Sequence, residues 1–218
     1  GLTGEAMAIG SPPAAAIIQW SLSHREITGS GAFSRAVMDR VDAACRAPGL
    51  VLAVFPEMSG LWLQLHRLFG TPQPGKASLL RYMFTCAPLV LSSYLRRTGA
   101  LRLASQVDME HWLEPFRDSE RKKNIYVCPG SSFVFDPTRQ RVHNTSCLIS
   151  PDGDILGLRR KIHLTPIEKR LGVAPGTHDQ DLEPFTTPFA RVGIAICLDG
   201  FYQDVVSSLD QSGTEVVL

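Results

Sequence analysis

Short continuous apolar runs alternate with stretches of helical period along the first third of this chain, and that alternation predicts layered α/β architecture. Ala14-Ala-Ala-Ile-Ile-Gln-Trp20 reads as a strand buried on both faces. Residues 30–47 place Phe33, Val37, Val41 and Ala44 at helical spacing, and Pro48 supplies a stop. Leu50 to Phe55 is a second buried strand, ended by Pro56. From Gly60 to Asn124 the pattern is mainly helical. Leu61, Leu65 and Leu68 keep period, Thr71-Pro-Gln-Pro-Gly75 breaks it, and Val107 to Arg121 is amphipathic through Met109, Trp112, Leu113 and Phe116. Residues 77–103 are apolar on more than one face, which suits a core, a subunit interface or a lid over a pocket, in that order.

From Ile125 onward the texture changes to strands separated by turn residues. Ile125-Tyr-Val-Cys128 passes through Pro129-Gly130 into Ser132-Phe-Val-Phe135, and Asp136-Pro137 turns into Val142 to Ile149. Pro151-Asp-Gly153 then turns into a strand predicted over Ile155 to Leu164, so these last two strands read as a hairpin. Gly172 to Glu183 is a polar loop. Phe185 to Phe189 and Val192 to Cys197 form a further strand pair, Phe201 to Leu209 is helical, and Glu215 to Leu218 begins another strand. No flexible linker divides the chain, which predicts one domain over residues 14–218, with its helical region 60–124 enlarged by an insertion.

Composition narrows the function classes. With 44% hydrophobic and 20% charged residues, the chain of 218 residues can bury a sizeable core. A formal net charge of +1 makes no electrostatic case for nucleic acid or an anionic membrane as a partner. The longest apolar run, Tyr82 to Leu95, is shorter than the roughly 20 residues a membrane span needs. Five cysteines lack zinc-finger or paired spacing, which points to a reducing, cytoplasmic compartment. A start at Gly1 and an end in strand pattern suggest a piece of a longer protein whose C-terminal part is absent.

Three chemically capable residues stand at the ends of strand-like runs. They are Glu57 in Leu52-Ala-Val-Phe-Pro-Glu57, Lys161 in Leu158-Arg-Arg-Lys-Ile-His-Leu164, and Cys197 in Val192-Gly-Ile-Ala-Ile-Cys-Leu-Asp199. Brought together, a carboxylate, an ammonium and a thiol supply a proton acceptor, an oxyanion partner and a nucleophile. Cys197 at a strand-to-helix junction would sit near a positive helix end, which favours thiolate, although a core cysteine closing a strand fits the same position. Glu57 fits the crevice at the carboxyl ends of a sheet or a helix N-cap region. Lys161 inside a strand is either paired and inward-facing or one of a solvated basic face with Arg159 and His163.

In their order and contexts, Phe-Pro-Glu57, Arg160-Lys161-Ile-His-Leu164 and Gly193-Ile-Ala-Ile-Cys197-Leu-Asp199 resemble the three signature blocks of the nitrilase superfamily, the carbon–nitrogen hydrolases. The stretch Val142 to Gly157 and the loop Gly172 to Gly176 match that family's segments before the lysine and cysteine blocks. The resemblance implies a four-layer α-β-β-α sandwich and a thiol hydrolase acting on non-peptide C–N bonds without cofactor or metal. It puts the general base on Glu57, the lysine role on Lys161, the nucleophile on Cys197, a supporting carboxylate on Glu168, and an oxyanion donor on the Leu198 N–H. Cys197-Leu-Asp199 is closer to the amidase and carbamoylase branches than to the Cys-Trp-Glu of true nitrilases. The implied substrate is therefore a small amide-type molecule, and the family's habits imply a homo-oligomer. Acyl transfer to an amine, or a catalytically idle scaffold of the same fold, are the competing expectations.

Overall fold

The computed structural model describes residues 12–20, 30–61, 63–64, 99–120 and 123–218. The stretch 77–103, expected as core, subunit interface or lid, falls almost entirely outside the described residues.

Two sheets form the centre. The larger is built from β1 (Ala14–Ile17), β2 (Leu50–Val54), β3 (Tyr126–Cys128), β4 (Ser131–Asp136), β5 (Arg141–Ile149) and β6 (Ile155–Arg160). Its path runs β1-β2-β3-β5-β4, with β6 also pairing β5. β1, β2 and β3 are parallel, whereas β5 runs antiparallel to all three of its neighbours. The connection from β1 to β2 is α1 (Ser30–Ala44), and α2 (Ala100–Glu120) precedes β3. The turn at Pro151-Asp-Gly153 closes the β5–β6 hairpin as the sequence predicts. The smaller sheet has the order β7 (Phe185–Thr186), β8 (Arg191–Gly193), β9 (Val216–Val217).

The period of two along the strands divides the core into layers. On one face of the larger sheet, Ala53, Val127, Cys147 and Ile149 pack under Phe33, Val37 and Val41 of α1 and Trp112, Leu113 and Phe116 of α2. Phe55 and Phe116 meet edge to face at 4.9 Å, an arrangement favoured by the ring quadrupoles. On the opposite face, Leu52, Cys128 and Leu148 pack against Phe185, Val192, Ile194 and Ile196 of the second sheet. The outermost layer is α5 (Gln203–Gln211), which follows α3 (Pro166–Leu171) and α4 (His178–Asp181). It lies close over β8, because a Cβ at Gly193 would stand 2.8 Å from Leu209 and Thr214 side-chain carbons. Helix, sheet, sheet and helix are thus stacked in the expected four layers.

Several strands stop earlier than their apolar pattern, β1 at Ile17 and β7 at Thr186 among them, and two of these early ends bear on the site. β6 ends at Arg160, so Lys161 lies just beyond the strand, although its N–H still donates to the Asn144 carbonyl at 2.8 Å. β8 ends at Gly193, and residues 194–196 keep only one cross-strand bond, Ala195 N–H to Leu218 O at 2.8 Å. Cys197–Phe201 is a short 3₁₀ turn, and the helix expected from Phe201 begins at Gln203. Hydrophobicity continues through these residues because they stay buried in the core. Pairing ends because the backbone must leave the ladder to present a side chain. Among the described residues, no helix is long and apolar enough to cross a membrane.

Candidate active site

Glu57 leaves β2 in a turn that the neighbouring strand holds in place. Met58 N–H donates to Ser131 Oγ at 3.1 Å, Gly60 N–H to Ser131 O at 3.3 Å, and Trp112 Nε1–H to Ser59 Oγ at 3.0 Å. Gly130 lets this turn approach, since it has φ +79° and a Cβ there would collide with the Pro56 carbonyl. These long-range contacts project the Glu57 carboxylate off the carboxyl end of β2, within reach of Asn144 of β5.

Lys161 is fixed at both backbone groups. Its N–H donates to Asn144 O, and its carbonyl accepts from Gly176 N–H at 2.8 Å. The side chain is 1% exposed and reaches Glu57 Oε1 at 2.8 Å and Glu168 Oε2 at 3.2 Å. The paired, inward reading of Lys161 is thus the observed one, and the solvated basic face is not. Arg159 instead reaches over the Phe185 ring and donates to the Glu183 carbonyl. Burial pushes the Lys161 ammonium down, but the hydrogen bond and charge of Glu57, with those of Glu168, outweigh it and hold the pKa above the ordinary value.

Glu168 is also buried, and its second oxygen caps α3. Oε2 accepts from Thr165 N–H and Oγ1, both at 2.8 Å, while the Thr165 hydroxyl accepts from Glu168 N–H at 3.3 Å. This is a capping box, signalled in sequence by Thr165-Pro-Ile-Glu168. One carboxylate therefore caps the helix start with Oε2 and meets the lysine with both oxygens, Oε1 at 3.3 Å and Oε2 at 3.2 Å.

Asn144 completes the cluster, and the sequence reading did not single it out. Its Nδ2 donates to Glu57 Oε1 at 2.9 Å and to Glu168 Oε1 at 2.8 Å, bridging the two carboxylates that flank Lys161. The available signal was the run His143-Asn-Thr-Ser146, four polar residues in a strand buried over eight consecutive positions. A polar residue at an inward strand position needs a partner, and here the partners are ionic.

Cys197 sits opposite, at the start of the 3₁₀ turn, with φ +49°. It is the exposed member of the described cysteines, whereas Cys128 and Cys147 are buried, so the core-cysteine alternative fails for Cys197. Glu57 and Cys197 line one cavity of about 100 Å³, walled also by Cys128, Ser131, Ser146 and Ile196. Burial raises the thiol pKa above its ordinary value, as do the hydrogen bond and charge of Glu57. The Lys161 charge and the Leu198 N–H oppose this without reversing it. The expectation that a helix end would favour thiolate is therefore corrected: the adjacent carboxylate and partial desolvation outweigh one turn of 3₁₀ helix.

Asp199 ties the two halves together. Its buried carboxylate accepts from Ile162 N–H at 3.2 Å and from His163 N–H at 2.7 Å, pinning the segment after Lys161 to the cysteine turn. Glu57 is thus shared: it bonds the buried Lys161 ammonium and lines the small cavity together with Cys197.

A family model described as carbon-nitrogen hydrolase matches residues 15–218. Among curated proteins, the human omega-amidase NIT2 is 28% identical over 103 residues, covering 44% of this chain and 36% of that protein. The citrullinase of Francisella tularensis is 27% identical over 119 residues, 53% of this chain and 40% of that one. The chain thus spans well under two thirds of the curated relatives it matches. Among solved structures, Saccharomyces cerevisiae Nit3, a member of branch 10 of the nitrilase superfamily, superposes with a TM-score of 0.59 at 17% identity. That superposition covers 93% of this chain and 62% of Nit3. With a family model running from β1 to the last residue and a solved member sharing its layered fold, this chain belongs to the carbon–nitrogen hydrolases.

Proposed function

We propose that this chain carries the catalytic centre of a thiol hydrolase that cleaves an amide or N-carbamoyl C–N bond through a thioester. The observation that carries the reading is one carboxylate, Glu57, bonded to the buried Lys161 ammonium at 2.8 Å while lining the same cavity as Cys197. The similarity to an omega-amidase and a citrullinase supports an amide-type or ureido-type substrate over a nitrile.

The steps follow from the charges. Cys197 rests as a thiol, since its pKa is raised, and Glu57 takes the proton as Sγ bonds to the substrate carbon. The carbonyl π electrons move to oxygen, where the Lys161 ammonium and the Leu198 N–H hold the oxyanion. Collapse breaks the C–N bond, and Glu57 returns its proton to the departing ammonia or amine. Water, deprotonated by the same carboxylate, adds to the thioester, the C–S bond breaks, and the proton goes back to sulfur. Glu168 and Asn144 keep Lys161 and Glu57 in place and touch no reacting atom. A small molecule and water are the only partners this cycle requires.

The test is ammonia release by the full-length protein from small amides and N-carbamoyl amines, with intact-mass detection of an acyl adduct. The expected result is turnover in the wild type, none in Cys197→Ala, and no adduct in Glu57→Gln, because the base acts before acylation. An adduct forming at wild-type rate in Glu57→Gln would remove Glu57 from its role. Turnover by Cys197→Ala would end the thioester reading.

A further inference from the structure

A second cluster of reactive side chains lies beside the first and takes no part in the cycle above. His163 Nε2 and His178 Nε2 stand 2.8 Å and 2.9 Å from the same atom, Asp204 Oδ2. All three donor atoms lie within 4.8 Å of one another, and among the described residues no other grouping of this kind occurs. We propose that His163, His178 and Asp204 form a binding site for a divalent transition-metal ion of the zinc, cobalt or nickel type.

The donor set selects the ion. Two neutral imidazoles and one carboxylate oxygen suit zinc and its neighbours, whereas magnesium and calcium require oxygen ligands throughout. In a tetrahedral site with metal–ligand bonds of about 2.0–2.2 Å, neighbouring donors stand about 3.3 Å apart. The observed 2.8 Å and 2.9 Å separations must therefore open by about half an ångström, while the two imidazole donors, within 4.8 Å of each other, must settle at about the same tetrahedral spacing, a change for side-chain rotations. The ion takes the space that the two ring hydrogens bonded to Asp204 otherwise fill.

Each ligand is delivered by an anchored piece of backbone. His163 N–H is held by Asp199 at 2.7 Å, and the His163 ring is stacked on Tyr202 at 3.7 Å and 5°. His178 opens α4, which the Asp181 carboxylate steadies through Thr177 N–H at 2.7 Å. Asp204 occupies the first turn of α5. Three elements are thus pre-positioned, which lowers the ordering cost of binding. The side chains remain 25%, 41% and 45% exposed, so the fourth position opens to water. Such a three-ligand arrangement leaves a coordination place for solvent or an added ligand.

The decisive experiment titrates chelator-treated, full-length Cys197→Ala protein with Zn²⁺ alone by calorimetry, and with Co²⁺ by visible absorption. The Cys197→Ala background removes a competing thiol and makes the readout independent of any hydrolase activity. One equivalent should bind per chain, with Co²⁺ bands lacking thiolate charge transfer. His178→Ala and Asp204→Asn, each verified as folded by circular dichroism, should weaken binding by about ten-fold or more. Should His178→Ala fail to fold, the near-isosteric Asp204→Asn decides. No saturable binding, or affinity unchanged in Asp204→Asn, would overturn the site and leave a hydrogen-bonded trio.

Discussion

The lysine cluster and the cysteine turn meet at Glu57 and are built on opposite terms. Lys161 beyond β6, Glu168 on α3 and Asn144 on β5 are all buried, and both charges have a partner within about 3.3 Å. Cys197 is exposed, follows a strand whose pairing has already lapsed, and holds a left-handed backbone. The first region can only be rigid, since any displacement would leave a buried charge uncompensated. The second presents one atom to a substrate and keeps few contacts that a substitution could break. The difference bears on stability: one half should be costly to mutate for folding as well as turnover, the other for turnover alone.

That separation can be broken by experiment. The largest effect expected is on turnover in Cys197→Ala, a loss of about 10⁴-fold or more with unfolding free energy changed by only about 0.5 kcal/mol. Parallel ammonia-release assays and urea titrations measure both. Lys161→Met should lose turnover and, unlike Cys197→Ala, also destabilise by about 3–5 kcal/mol, because Glu57 and Glu168 then lose the buried cation they share. A Lys161→Met protein with wild-type urea midpoint would show that the cluster is not the rigid half. Asn144→Ala should cost about 1–3 kcal/mol in the same titration, since Glu57 and Glu168 both lose a donor.

The smallest effect sharpens the contrast in pH. Burial and Glu57 hold the Cys197 thiol above its ordinary pKa, so wild-type labelling by iodoacetamide should be slow at neutral pH and climb only in alkaline buffer. In Glu57→Gln the negative charge is gone while Lys161 stays cationic through Glu168, so the thiol pKa falls. Labelling of Cys197 near pH 7 should then quicken several-fold even as turnover is lost. Peptide mapping by mass spectrometry reads the site, and slower labelling in Glu57→Gln would mean that Glu57 aids the thiolate instead of opposing it.

Much of the fold was legible because its signals are local. The apolar run Leu50 to Phe55 and the turn at Pro151-Asp-Gly153 each predicted the element that forms. The strand ends were misplaced by hydrophobicity itself: Ile194 and Ile196 are buried as strand residues would be, yet their backbone has left the sheet. Asn144 went unnoticed because its meaning depends on two carboxylates from other segments, 87 and 24 residues away. Its polarity marked it as needing partners, and no local pattern says which.

What the residues determined on their own is the inventory and its placement: a carboxylate, an ammonium and a thiol, each carried to the end of an apolar run, with a capping box that commits Glu168 to a helix start. These follow from period, turn chemistry and short-range sterics. Tertiary structure alone decided that Lys161 meets Glu57 across 104 residues, that Asn144 bridges the carboxylates, and that burial and Glu57 push the Cys197 thiol pKa up. Those outcomes depend on how β5 registers with β6 and how the two sheets are spaced. Electrostatic energies change steeply over a few ångströms, a scale that only the packed layers define.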